Sequence, residues 1–195
     1  MADEGTIHIL DPFAGETRWP DVIIDSSAFN QSPTCERLFA LALAYLDTTA
    51  SLCQIIGETP ERRTWPDASV AYFCLHHATE LFLKACILSR CSNEKLHHDV
   101  SQLRRRYREL FPDAVCDFHS PWTISADELD RLLGTPSFEG VDRIPDQKYR
   151  YGAGRDLKPS QSISSFAPGH ILSYADYLRA RWRLIWEHTK TQEKG

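Results

Sequence analysis

Between Val70 and Leu88 apolar residues recur with helical spacing. Cys74, Ala78, Leu81, Ala85 and Leu88 follow one another at three- and four-residue steps, which is one face of an α-helix. Phe73, Leu75, Phe82, Leu83, Cys86 and Ile87 fill most of the remaining circumference. A helix apolar nearly all round sits inside a bundle, and this one is read from Asp67 to Arg90. One arc breaks the pattern. At about 100° per residue, His76, His77, Glu80 and Lys84 share a single strip. Burying polar groups without partners is costly, so the strip either pairs with other groups of the protein or lines a groove. Glu80 and Lys84 also stand at the i, i+4 spacing of a favourable helical ion pair.

The same reading gives the other elements. A first helix is expected over Pro33–Ile56, with Ser32 as its cap, Pro33 in the first turn, Glu36 at the positive end and Gly57 as its stop. Leu38, Leu41, Ala42, Tyr45, Leu52 and Ile56 form its buried stripe. A third starts near His98–Asp99 and ends near Pro112, with Val100, Leu103, Tyr107 and Leu110 inward and Arg104, Arg105, Arg106 and Arg108 outward. Ser125 and Glu128 have capping-box spacing and signal a short fourth helix ended by Gly134. Residues 135–168 then read as a long loop, of the kind that is often functional. A last helix, Gly169–His188, buries Ile171, Ala175, Leu178, Trp182 and Ile185. Residues 1–32 are less regular: Thr6–Leu10 and Val22–Ile24 are either two short strands or parts of an extended arm. The expected fold is all-α, an up-and-down bundle of four to five helices over residues 33–188, with a polar tail at 189–195.

The bulk numbers narrow the function classes. A net charge of −5 over 195 residues supplies no overall field for nucleic acid or anionic membrane, so any nucleic-acid contact needs a local basic patch. The expectation is no membrane span and, because the acidic N-terminus lacks a long apolar core, a cytoplasmic address. The six cysteines fall mostly at helix-core positions, where free thiols behave as small apolar groups. Cys86, Cys91, His97 and His98 fit no common zinc spacing, so neither metal nor cofactor is expected.

The order of short motifs resembles the HEPN family (higher eukaryotes and prokaryotes nucleotide-binding domains). Carrying the resemblance are Glu80 with Leu83-Lys84-Ala85, then His97-His98-Asp99-Val100, then Arg150-Tyr151-Gly152 and a final helix. It covers about residues 33–188. It implies a helical bundle, commonly dimeric, linked to RNA biology. Many members are metal-independent ribonucleases in toxin–antitoxin, antiviral-defence or CRISPR systems; others bind nucleotide, RNA or protein without catalysis, and some pair with a minimal nucleotidyltransferase. For this chain it implies a homodimer or a subunit of a larger complex that binds RNA or nucleotide and, if an enzyme, cleaves RNA without metal. The alternative is a non-catalytic protein-interaction subunit.

Metal-free RNA cleavage needs a base for the 2′-hydroxyl proton and a cation for the developing charge. Active family members carry Arg, four to six residues, then His. Three pairs here match: Arg181 with His188, Arg183 with His188, and Arg90 with His97. Seven residues return Arg181 and His188 to one helix face, whereas five turn Arg183 away from it. In none does the family's usual polar residue follow the arginine: Trp182, Leu184 and Cys91 stand there. The alternative for the final-helix residues is a solvated C-terminal end with cations near the negative pole. His76, His77, Glu80, Lys84 and His98, joined by Arg150, Tyr151 and Arg155 of the late loop, are the candidate ligand-binding set, with Tyr151 able to stack on a base. Arg104, Arg105, Arg106 and Arg108 form the candidate nucleic-acid patch; a plainly solvated face is the other reading.

Overall fold

The computed structural model describes residues 27–119 and 166–192. Contacts divide the chain into two units, residues 1–32 and 33–195. In the first, the described part is α1, the single turn and a half Ser27–Gln31. The second is all-α: α2 (Thr34–Glu58), α3 (Trp65–Arg90), α4 (Val100–Leu110) and α5 (Pro168–Gln192), with no strand among the described residues. Short 3-10 turns at Pro60–Arg62 and Ala114–Cys116 link them. The expected strands at Thr6–Leu10 and Val22–Ile24, the Ser125–Gly134 helix, and Arg150, Tyr151 and Arg155 lie outside the described residues.

Local chemistry explains the helix ends, and two of them differ from the reading above. Ser32 does not cap α2: its Oγ donates to the Ala28 carbonyl at 3.0 Å, and Pro33 occupies the cap position without a side-chain bond. Gly57 does not stop the helix either. The stop is Thr59, in extended backbone at φ −115° and ψ 101°, because the ring of the following Pro60 disfavours helical geometry in the residue before it. α3 starts at Trp65 rather than Asp67, because Thr64 accepts from the Asp67 amide and its Oγ1 donates to the Asp67 carboxylate at 2.7 Å, a reciprocal cap. Asp99 caps α4, accepting from Ser101 N at 2.9 Å and Gln102 N at 3.2 Å. α5 runs one turn beyond His188.

Ring contacts fix the topology. Tyr45 meets His77, and Phe39 meets Phe82, so α3 runs antiparallel to α2. Phe39 stacks on Trp186 at 4.5 Å and Asp47 pairs with Arg179, so α5 is antiparallel to α2 as well. The core centres on Phe82, which stacks on Trp182 at 4.6 Å and takes the edge of Phe118 at 5.3 Å. Leu75, Leu83, Ile87, Leu178 and Ile185 are fully buried around it, as the apolar periodicity predicts; in α2, Leu46, outside the expected stripe, is buried as well, whereas Leu41, inside it, is 38% exposed. Cys53, Cys74, Cys86 and Cys116 are buried free thiols, and burial pushes the Cys86 thiol well up. By length and composition alone α2 is apolar enough to cross a membrane, where no span was expected; a core helix of a bundle passes the same test.

Candidate functional site

Glu80 is the charged centre of the polar strip. It is 4% exposed, in the middle of α3, where an isolated carboxylate would be strongly disfavoured. The chain supplies its partners. Lys84, one turn on, donates to Oε1 at 2.6 Å. The Nδ1 of His98, from the α3–α4 connection, lies 2.9 Å from the same oxygen. The Nδ1 of His77 stands 3.6 Å from Oε2. Burial pushes the Glu80 carboxyl up, but the hydrogen bonds from His77 and Lys84 and their charges outweigh it and hold the carboxyl at about 2.

The strip is therefore closed by its own chain along most of its length. His76 is buried, at 1% exposure. His77 packs between aromatic rings, stacked on Phe73 and edge-on to Tyr45. His98 differs, because its side chain is 85% exposed while Nδ1 is anchored inward. An ionised carboxylate can only accept, so the hydrogen between the two groups sits on Nδ1. With the hydrogen on Nδ1, the neutral ring keeps Nε2 as its acceptor, on a side chain that is 85% exposed. Lys84 Nζ is 3.5 Å from the same ring nitrogen and places a fixed cation beside the imidazole. A buried carboxylate orienting a histidine is the arrangement that prepares a general base.

The final-helix candidates have structural partners. Arg181 and His188 share a face, as their spacing requires, and that face meets the segment following α4. Arg181 Nε donates to the Asp117 carbonyl at 2.8 Å and Nη2 to the Ala114 carbonyl at 3.1 Å, while His188 Nε2 lies 3.7 Å from Asp113 Oδ2. Arg183 is exposed elsewhere on the helix. Arg90 lies over the Phe111 ring at 5.3 Å, and exposed His97 borders a surface groove.

The arginine cluster is not one outward face. Arg104 is 4% exposed, with its guanidinium 4.1 Å above the Phe118 ring, and it donates to Asp117 and to the Phe118 carbonyl. It turns inward because the segment after α4 folds back over it and supplies acceptors. Arg106 is clamped by both oxygens of Glu94, at 2.8 and 2.9 Å, and by Glu109. Only Arg105 and Arg108 are exposed. Arg105 joins Lys95, His97 and Gln102 around the groove, of about 580 Å³. The sequence places Glu94, Glu109 and Asp113 near the arginines, and the structure pairs Arg106 with the first two; Asp117, the partner of Arg104, was missed. It lies thirteen residues from the cation it holds, where no periodicity links them.

No family model, no curated protein and no solved structure matches this chain.

Proposed function

We propose that this chain is a HEPN-like RNA-directed protein of defence or toxin–antitoxin systems, in which His98 is the general base of a metal-independent RNA cleavage. One observation carries the reading. Lys84 and His98 meet at the buried carboxylate of Glu80, all three belonging to the motifs that resemble the family, and the His98 side chain is 85% exposed. In the proposed step the 2′-hydroxyl proton passes to His98 Nε2 and the 2′ oxygen attacks the adjacent phosphorus. The 5′ oxygen leaves and takes a proton from water. Lys84 is the nearby cation that favours the added negative charge, and the exposed Arg105 and Arg108 are suited to neighbouring phosphates. This reading leaves Arg181 and His188 out of the reacting set, because Arg181 donates to carbonyls after α4 and His188 faces Asp113.

The test is cleavage of single-stranded RNA in EDTA. The wild type is expected to cut, His98→Ala to lose at least about a hundredfold, as removal of a general base does, and His188→Ala to keep its rate. Equal loss in both variants would remove the special role given to His98, and a wild type that shifts RNA with a steep salt dependence but never cuts it would leave a binding module in place of the nuclease.

A further inference from the structure

The atoms that prepare a general base also prepare a nucleophile, since both give away the same lone pair. A nucleophile needs more room, because its target is larger than a proton. Room separates His98 from the other histidines that face carboxylates. His77 has Nδ1 3.6 Å from Glu80 Oε2, but its side chain is 28% exposed and its ring packs against Phe73 and Tyr45. His188 is 31% exposed and turns Nε2, not Nδ1, to Asp113. His98 keeps Nδ1 2.9 Å from Glu80 Oε1 on a far more exposed side chain, in the connection between α3 and α4. Its neighbour His97 is exposed too but enters no ion pair among the described residues. The buried carboxylate behind the ring is what His98 has and His97 lacks.

That carboxylate favours bond formation at Nε2. When Nε2 joins an electrophile, the ring becomes a cation with its hydrogen still on Nδ1. Glu80 accepts that hydrogen and faces the new charge, as the carboxylate of a catalytic triad stabilises an imidazolium. It also fixes the tautomer, which directs reaction to Nε2 and away from Nδ1. Lys84 Nζ, 3.5 Å from Nδ1, sets a cation beside the ring and so suits an electrophile that is itself an anion. A phosphoryl group is such an electrophile, and it needs the open ring.

We propose that His98 Nε2 is a phosphoryl acceptor, taking the group from a donor of the phosphoramidate class, and that the modification switches the site off. In the step the Nε2 lone pair forms a new N–P bond while the donor's own P–N bond breaks. The electron pair of that bond leaves with the donor nitrogen, which already carries the hydrogens of ammonia and departs as ammonia. Nδ1 keeps its hydrogen on Glu80, which acts as a positioning residue throughout. Phosphorylated Nε2 has no lone pair left to take a 2′-hydroxyl proton. The switch rests on the proposed function above; acceptance of the phosphoryl group does not.

Incubation of the whole chain with potassium phosphoramidate tests this, with phosphorus NMR identifying the ring nitrogen and tandem mass spectrometry the residue. His98 is expected to be labelled at Nε2 at least about tenfold faster than His97, a comparison made within one folded molecule. Glu80→Gln should slow His98 by about tenfold or more, with circular dichroism checking its fold; if that variant fails to fold, the comparison with His97 decides. Labelling of His98 no faster than His97, label on Nδ1, or a rate that a folded Glu80→Gln leaves unchanged overturns the acceptor. The phosphorylated protein should cut RNA in EDTA at least about a hundredfold more slowly than the unmodified one and recover as the label hydrolyses; unchanged cutting by fully labelled protein overturns the switch. A wild type that is labelled as expected but never cuts RNA supports the acceptor and sinks the nuclease reading instead.

Discussion

Arg104 and Arg105 are neighbours in sequence with opposite surroundings. Arg104 is enclosed by Tyr107, Asp117 and Phe118; burial lowers its guanidinium pKa, while Asp117 pulls it back up. Cutting the side chain away leaves a buried carbonyl and a half-exposed carboxylate without their donor, so Arg104→Ala should cost about 3 kcal/mol in urea unfolding. Arg105→Ala should change stability by less than about 0.5 kcal/mol. Glu80 carries the pH dependence. Its folded carboxyl, at about 2, lies below its unfolded value. Its contribution is therefore fully present above about pH 4.5 and is lost as pH falls toward 2. For so large a shift this is on the order of 3 kcal/mol. Urea midpoints measured between pH 5 and pH 2.5 should fall steeply in the wild type, and Glu80→Gln should remove much of that slope. The Glu80–Lys84 pair was legible in the sequence because both ends lie on one helix. The landing of His98 on Glu80, and of Asp117 on Arg104, was not, because each needs a chain reversal that local spacing does not encode.

At the scale of elements, the interior faces were readable and the helix ends less so. Ala175, Leu178, Trp182 and Ile185 lie at 0% exposure, where the 3.6-residue period puts them. The boundary at Thr59 depends on a proline two residues beyond Glu58, a stronger stop signal than Gly57. α5 joins the core through Trp182, whose ring stacks on Phe82. Trp182→Ala should destabilise the protein by about 4 kcal/mol, seen as a lowered urea midpoint with unchanged slope. Arg181 bridges α5 to the turn after α4 through two carbonyls. Arg181→Ala is expected to cost about 1–2 kcal/mol and to leave RNA cleavage at the wild-type rate once the variant is held folded. A cleavage defect in a folded Arg181→Ala protein would return that arginine to the reacting set.

At the scale of the whole molecule, the described helices form a scaffold with two separable surfaces. One is the α3–α4 connection, where His98 stands out from a buried carboxylate. The other is the outer face of α2, where Leu41 and Ile55 are 38% and 45% exposed: the apolar period puts Leu41 in the buried stripe because periodicity finds an apolar face without saying what covers it. The account rests on the first surface, and on Glu80 fixing the His98 ring so that Nε2 is presented bare. The tautomer of His98, read from its ring nitrogens by ¹⁵N NMR at alkaline pH where the imidazole is neutral, tests this most directly. The account predicts a hydrogen on Nδ1 in the wild type and its redistribution to Nε2 in Glu80→Gln, with the fold intact. A wild-type ring protonated at Nε2, or a tautomer that ignores the substitution, would contradict it.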